Sequence, residues 1–398
     1  MSGPRPPGFD TLSLHAGSAR DSGGGARATP IHVTSSSAVS NPANAVLEER
    51  IAALEGGVAG IGTASGQAAL HLGLTTLAGA GDHIVASRAL AGGSHRLLAH
   101  ALRRFGVDTT FVDPRDPDAW RAAIRPTTRL LFGETLSSPG LDVLDIPAIA
   151  DLAHAHDLPL MVDATLTTPY LQRPFDLGAD LLFHAAAGFL CGHGAAHGGL
   201  LVDGGTFDWQ AAHERSGRFA ALCEPCEGAG GMVFSEESTV GAFALRARSL
   251  GLPDFGTGMS PHDAFAILQG VETLGLRMER HVATTRRVVE FLAAQPMVAS
   301  VSYPEHDSHP DHALAQRLLP QGCGAVLGFE LKGGPAAGRR FADGLQVFSQ
   351  PTNMGGARSS VSHPASPTGL LCLSIGLEDP DDLIDDLRRG LKLAQKGV

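Results

Sequence analysis

Five short apolar runs, HIVAS (83–87), TTFVD (109–113), RLLFGE (129–134), PLMVDA (159–164) and DLLFHA (180–185), recur between stretches with helical periodicity such as IPAIADLAHAHD (146–157). Strands that are apolar without alternation must be covered on both faces, and strands separated by helices run parallel. The pattern therefore predicts an α/β fold around a parallel sheet. Ligands in such sheets collect beyond the carboxyl ends of the strands. Glu134, Asp163 and His184 stand at those ends and are expected to converge on one crevice.

The flanking segments fill in the organisation. In ANAVLEERIAALEGG, Leu47, Ile51 and Leu54 share one helical face, Asn41 and Pro42 make a start signal, and Gly56 and Gly57 a stop. From about Phe255 the character changes: one long helix is expected through residues 260–295, followed by a smaller unit with strands near AVLGFEL and LCLSIGL. The expected division is an N-terminal arm and first helix over 1–55, a large α/β domain over 56–254 and a C-terminal α/β domain over 255–398. A chain of 398 residues suits two such cores. No apolar run reaches the roughly 20 residues of a membrane helix, and the formal charge of −11 speaks against a nucleic-acid footprint. The start lacks an apolar signal core, and five scattered cysteines fit a reducing cytoplasm.

Several segments, among them ALEGGVAGIGTASGQAAL, MVDATLTTPYLQRPFDLGADLLFHAA, SPHDAFAILQGVETLGLRMERH and LSIGLEDPDDLIDDL, resemble the Cys/Met-metabolism family of pyridoxal-phosphate (PLP) enzymes. Within that family the likeness is to O-acetylhomoserine sulfhydrylases, beside cystathionine γ-synthases and methionine γ-lyases. The resemblance covers nearly the whole chain and implies the fold-type I PLP-dependent transferase architecture, similar to aspartate aminotransferase. It further implies homodimers or homotetramers and a small-molecule ligand.

The family's chemistry needs a lysine that links the cofactor covalently, an aromatic ring stacked on it, an acid for its ring nitrogen and an arginine for the substrate carboxylate. Read against the family pattern, HAAAGFLCGH places Gly188 at the lysine and Ala185 and Ala187 at the phosphate-binding serine and threonine. Ala91 stands for the stacking tyrosine, Ser138 for an asparagine and Cys372 for the arginine, while Gly66 and Asp163 are kept. The segment near Ser40 and the loop before Leu370 are shorter than the family's. The resemblance thus implies a crevice lined by Gly66, Gln67, Ala91, Glu134, Ser138, Asp163, Thr165, Ala185, Ala187, Gly188 and Cys372, without Schiff-base chemistry and with no cofactor bound.

Two explanations compete: decay of the site, or its reuse for a bulkier, less anionic ligand. Every replacement is smaller or less polar, which favours reuse, since a roomy apolar cleft with few polar groups is an ordinary ligand site. Asp163 is then the candidate catalytic acid, its pKa raised by burial, with a plain backbone hydrogen bond as the alternative role. His184, Cys191, His193 and His197 form a possible metal group, but the family pattern carries such histidines without metal, so no metal is expected. Cys223 and Cys226 are taken as loop residues. Three functions follow: PLP-independent catalysis or binding in a specialised biosynthetic pathway, a noncatalytic subunit of an active paralogue, and a conventional sulfhydrylase or γ-lyase with unbound PLP.

Overall fold

The computed structural model describes residues 6–18, 28–33, 41–239, 241–350, 354–362 and 369–395. The shortened segment near Ser40, and most of the loop before Leu370, lie outside them.

Seven strands form the large sheet: β1 (Ala59–Thr63), β2 (His83–Ser87), β3 (Asp108–Val112), β4 (Thr128–Glu134), β5 (Leu160–Asp163), β6 (Leu181–Ala185) and β7 (Gly199–Asp203), in the order β1-β7-β6-β5-β4-β2-β3. Successive residues divide between two apolar layers. Ile84, Leu130, Phe132, Met161, Leu181 and Phe183 pack on one face, and Val85, Leu131, Leu160, Val162 and Leu182 on the other. Side chains alternate across a strand, so an unbroken apolar run supplies both layers. Strands β2 to β6 are parallel. The sheet departs from the all-parallel expectation at β7, which runs antiparallel to both β6 and β1. The link from Ala185 to Gly199 contains no helix to carry the chain back across the sheet, and an antiparallel return is what so short a connection permits.

The Pro42–Glu55 helix begins and ends where its residues indicate. Asn41 accepts the Ala43 N–H at 2.9 Å, Pro42 occupies the first turn, and Gly56 closes the helix at φ 82°. The expected long helix over 260–295 is two helices, Pro261–Val271 and Leu274–Ala293, parted at Thr273. The break coincides with Gly270, whose missing side chain lets the helix lie directly on the backbone carbonyls of Leu190 and Cys191. Arg277, buried beyond the break, donates to Phe189 O at 2.7 Å, Leu190 O at 3.3 Å and Gly270 O at 2.6 Å. This tertiary contact overrides the continuous helical periodicity.

A second sheet of β8 (Val298–Ser302), β9 (Val326–Leu331), β10 (Ser360–Ser362) and β11 (Leu371–Ser374) is antiparallel throughout, in the order β10-β11-β9-β8. Arg115 ties the two sheets' units together: its guanidinium donates to both oxygens of Asp311 at 2.6 and 2.7 Å and pairs with Asp142 at 2.5 Å.

The Gly270 contact yields a stability prediction. Gly270→Ala drives a methyl group into the Leu190 and Cys191 carbonyls, so its unfolding free energy should fall by roughly 1–3 kcal/mol. Gly92→Ala, where no atom lies within 4 Å of the new carbon, should leave the thermal midpoint nearly unchanged. Equal midpoints for the two variants would show that the helix does not depend on this approach.

Candidate functional site

Beyond the carboxyl ends of β4, β5 and β6 lies a cavity of about 440 Å³. Its walls include Gly66 and Gln67 from the start of the Gly66–Leu77 helix, Ala91 after β2, Glu134 and Ser138 from β4 and its loop, Asp163 and Thr165 from β5, and Ala185, Ala187 and Gly188 from β6 and its loop. Cys372 is absent from the wall. It is buried on β11, with Sγ 3.9 Å from the carbonyl of Pro139, behind the crevice lining. Burial also pushes its thiol up to about 12. Ser94, Phe189 and Met354 also line the cavity, and no residue pattern marked them. Met354 reaches it from the distant C-terminal unit, a contact with no local pattern.

His184 does not join the crevice. Phe183 and Ala185 face the cavity, and strand alternation turns His184 to the other side of the sheet. There its Nε2 lies 2.6 Å from Oε1 of Glu55, with both side chains fully buried. Burial raises the Glu55 pKa, and the hydrogen bond to His184 opposes that rise. The pair anchors the strand bearing Ala185 to the first long helix. His193 bonds its own loop, Nδ1 to Cys191 O at 2.8 Å, and the His197 N–H donates to Asp263. Among the described residues no group of three or more His, Cys, Asp or Glu side chains is arranged to hold a metal. Cys223 and Cys226 are both free thiols.

The polar chemistry of the wall is concentrated in two acids. Glu134 and Asp163 are paired neighbours in the β4–β5 register. Glu134 is buried and accepts the Ala91 N–H at 2.7 Å; its pKa stands well above the ordinary carboxylate value because of burial first and the neighbouring Asp163 charge second. Asp163 accepts the Thr165 N–H at 2.8 Å, and burial raises its pKa as well. Asp163 is thus a backbone-bonded acid with a raised pKa. Thr165 in turn accepts the Ala185 N–H at 2.9 Å, stitching the ends of β5 and β6 together. Like charges side by side in a buried site raise the pKa of the pair.

The residues present fit a pyridine ring with a phosphate. Asp163 offers the acid for a ring nitrogen. The Gly66–Leu77 helix, capped by Ser65 on the Ala68 N–H at 3.1 Å, starts at the crevice wall, and a helix start favours an anion. They do not fit a covalent link at residue 188. Gly188 carries no amine, and a side-chain carbon there would stand 2.5 Å from the Met354 carbonyl oxygen. The chain's lysines are Lys332, Lys392 and Lys396. The first two are exposed in the C-terminal unit, and no lysine lines the described crevice.

Residues 10–392 match the family of Cys/Met metabolism PLP-dependent enzymes. The chain is 39% identical to O-acetyl-L-homoserine sulfhydrylase of Leptospira meyeri over 96% of both sequences. It is 40% identical to homocysteine synthase of Schizosaccharomyces pombe over 97% of this chain and 98% of that one. Its structure superposes on an O-acetylhomoserine (thiol)-lyase of Campylobacter jejuni with a TM-score of 0.92 and 30% identity, covering 96% of this chain and 99% of the other; that crystal structure carries N'-pyridoxyl-lysine-5'-monophosphate at its position 205. Cystathionine γ-lyase of Lactobacillus plantarum superposes with a TM-score of 0.83 and 31% identity over 98% and 99% of the two chains. The expectation that no cofactor is bound is corrected by these matches. The matched family is PLP-dependent, a structural neighbour holds the cofactor, and the acid and helix start that suit its ring and phosphate are present here.

The acid pair gives a pH signature. A carboxyl whose folded-state pKa is raised stabilises the fold fully below its ordinary value near 4.5, and that contribution is lost as pH rises through the folded-state value. Glu134→Gln removes the ionisation. The variant should therefore gain on the unaltered protein as pH rises above about 4.5, by at most ~1.4 kcal/mol per pH unit. Parallel thermal-midpoint curves for the two proteins would contradict the raised value.

Proposed function

The chain belongs to the Cys/Met metabolism PLP-dependent enzyme family, and from that premise we propose that it is a catalytically diverged relative of the O-acetylhomoserine sulfhydrylases whose crevice seats the cofactor without a covalent link. The observation that carries this reading is at Gly188, where the Met354 carbonyl leaves no room for a side chain. When bound, pyridoxal phosphate supplies an electron sink for reactions at an amino acid's α-carbon.

The chain's own residues divide the remaining work. With the cofactor bound, Asp163 would pair with the ring nitrogen, Ser65, Gly66 and Gln67 would take the phosphate, and Glu134 would hold a proton inside the crevice. Ala91, Ala185 and Ala187 leave open space in the wall, and no arginine lines it among the described residues. Such a wall suits a bulkier, less anionic small molecule than an acyl-homoserine, of the kind met in specialised biosynthesis.

Borohydride reduction after incubation with pyridoxal phosphate tests the link. The expected outcome is cofactor retained in the native mass spectrum and lost on denaturation, with the chain mass unchanged. The Campylobacter protein, treated alike, should keep it covalently. Covalent retention by this chain would overturn the proposal. Turnover of O-acetylhomoserine with sulfide should lie roughly 10²–10⁴-fold below that of the Leptospira enzyme, the range lost when a positioned proton-transfer group is missing; equal rates would be incompatible with the reading.

A further inference from the structure

Two residues of the crevice wall, Leu136 and Ser138, stand at the base of a lobe, residues 137–143, that leaves the end of β4 and folds back on it. Leu136 pairs with Val143 across the neck of the lobe, and the Leu144 N–H returns to the Thr135 carbonyl at 3.3 Å. The Ser138 N–H donates to Glu134. Asp142 closes the lobe from within: it accepts the Ser137 hydroxyl at 2.7 Å, and its own N–H donates to that hydroxyl oxygen at 2.9 Å. Leu141, fully buried, is held at φ 61°. That is left-handed backbone, which a leucine keeps only where its surroundings fix it.

The fixing groups come from outside the lobe. Arg115, in the loop between β3 and the Pro117–Ala123 helix, pairs with Asp142 at 2.5 Å and donates to both oxygens of Asp311 at 2.6 and 2.7 Å. Asp311 belongs to the C-terminal unit. Its side chain is 6% exposed, and it also accepts the Val143 N–H at 3.0 Å. From the same unit the Ser302 hydroxyl donates to the Gly140 carbonyl at 2.7 Å. One guanidinium thus spans an acid inside the lobe and an acid of the C-terminal unit. A lysine ammonium in its place keeps the charge but has no planar fork to hold both.

We infer that Arg115 is a positioning residue for the crevice: by bridging Asp142 and Asp311 it holds the lobe against the C-terminal unit and so sets where Leu136 and Ser138 stand in the wall. The guanidinium itself lies outside that wall. The role does not depend on which molecule the crevice binds, and the noncovalent seat argued above supplies one ligand that reads it.

Hydrogen exchange resolved to single amides, on the full chain without ligand, compares the unaltered protein with Arg115→Lys, a cooperative melt showing that the variant is folded. The Ser138 amide should exchange about tenfold faster in the variant, while the Gly66–Leu77 helix keeps its rates. Faster exchange confined to residues 141–143 would mean that the clamp acts only on its own contacts, and an even rise over the whole chain would mean a loss of global stability; either overturns the positioning role. Equilibrium binding of pyridoxal 5'-phosphate, followed by its absorbance, gives the second readout. Arg115→Lys should raise its Kd roughly three- to tenfold, and Arg115→Met at least as much. Unchanged affinity in Arg115→Lys overturns the link from the clamp to the crevice. If the unaltered protein binds no pyridoxal 5'-phosphate, the noncovalent seat fails, while the amide rates still decide the role of Arg115. If Arg115→Met does not fold, Arg115→Lys alone carries both comparisons.

Discussion

Register between parallel strands is the constraint on which this site rests. Because β4 pairs with β5 at Glu134 and Asp163, and β5 with β6 at Asp163 and Phe183, β4 and β5 finish level with one another and β6 runs on to Ala185. A slip of one residue would turn each wall residue to the opposite face of the sheet. The Thr165 hydroxyl, which takes the Ala185 N–H, pins the last step of that register, and Thr135 donates its N–H to the Asp163 carbonyl at 2.9 Å on the other side. The level finish has a cost, since it sets two carboxyls next to each other where little water reaches. Backbone donors at Ala91 and Thr165 offset part of it, and the raised pKa of the pair reflects the rest.

Around the acids, the loop after β6 is held from two sides. Beneath it, Glu55 and His184 join the strand to the first long helix inside the core. Above it, Arg277 gathers the carbonyls of Phe189 and Leu190 while Gly270 presses on the same turn. A buried guanidinium serving several carbonyls at once fixes the path of an irregular backbone that has no ladder of its own. Burial lowers the Arg277 pKa to about 10, which still leaves it charged at neutral pH. The crevice floor is therefore as rigid as the helices that bear on it.

Much of this was legible in the residues. Unbroken apolar runs marked the strands, Asn41, Pro42 and Gly56 bounded a helix, and strand-end logic brought Glu134 and Asp163 to one crevice. Apart from His184, the departures depend on contacts between distant parts of the chain. His184 turned away because alternation about the strand end decides its side. Cys372 lies outside the wall, buried on β11 against the Pro139 carbonyl. The helix over 260–295 broke because its neighbour is a backbone turn and not a side-chain surface. The absence of bound cofactor was read from Gly188, Ala91, Ala185 and Ala187 together, whereas the acid and helix start that suit a ring and phosphate are kept.

The contact between Gly188 and Met354 also shapes how such a protein can change. With the Met354 carbonyl 2.5 Å from where a side chain would begin, even alanine at position 188 is obstructed, so no single substitution there is neutral. A lysine would need the backbone around residue 354 to withdraw first, and that withdrawal has no benefit of its own while glycine remains. The two positions are thus epistatic. A side chain at 188 and the present path of the backbone at 354 therefore exclude one another, whatever the crevice binds.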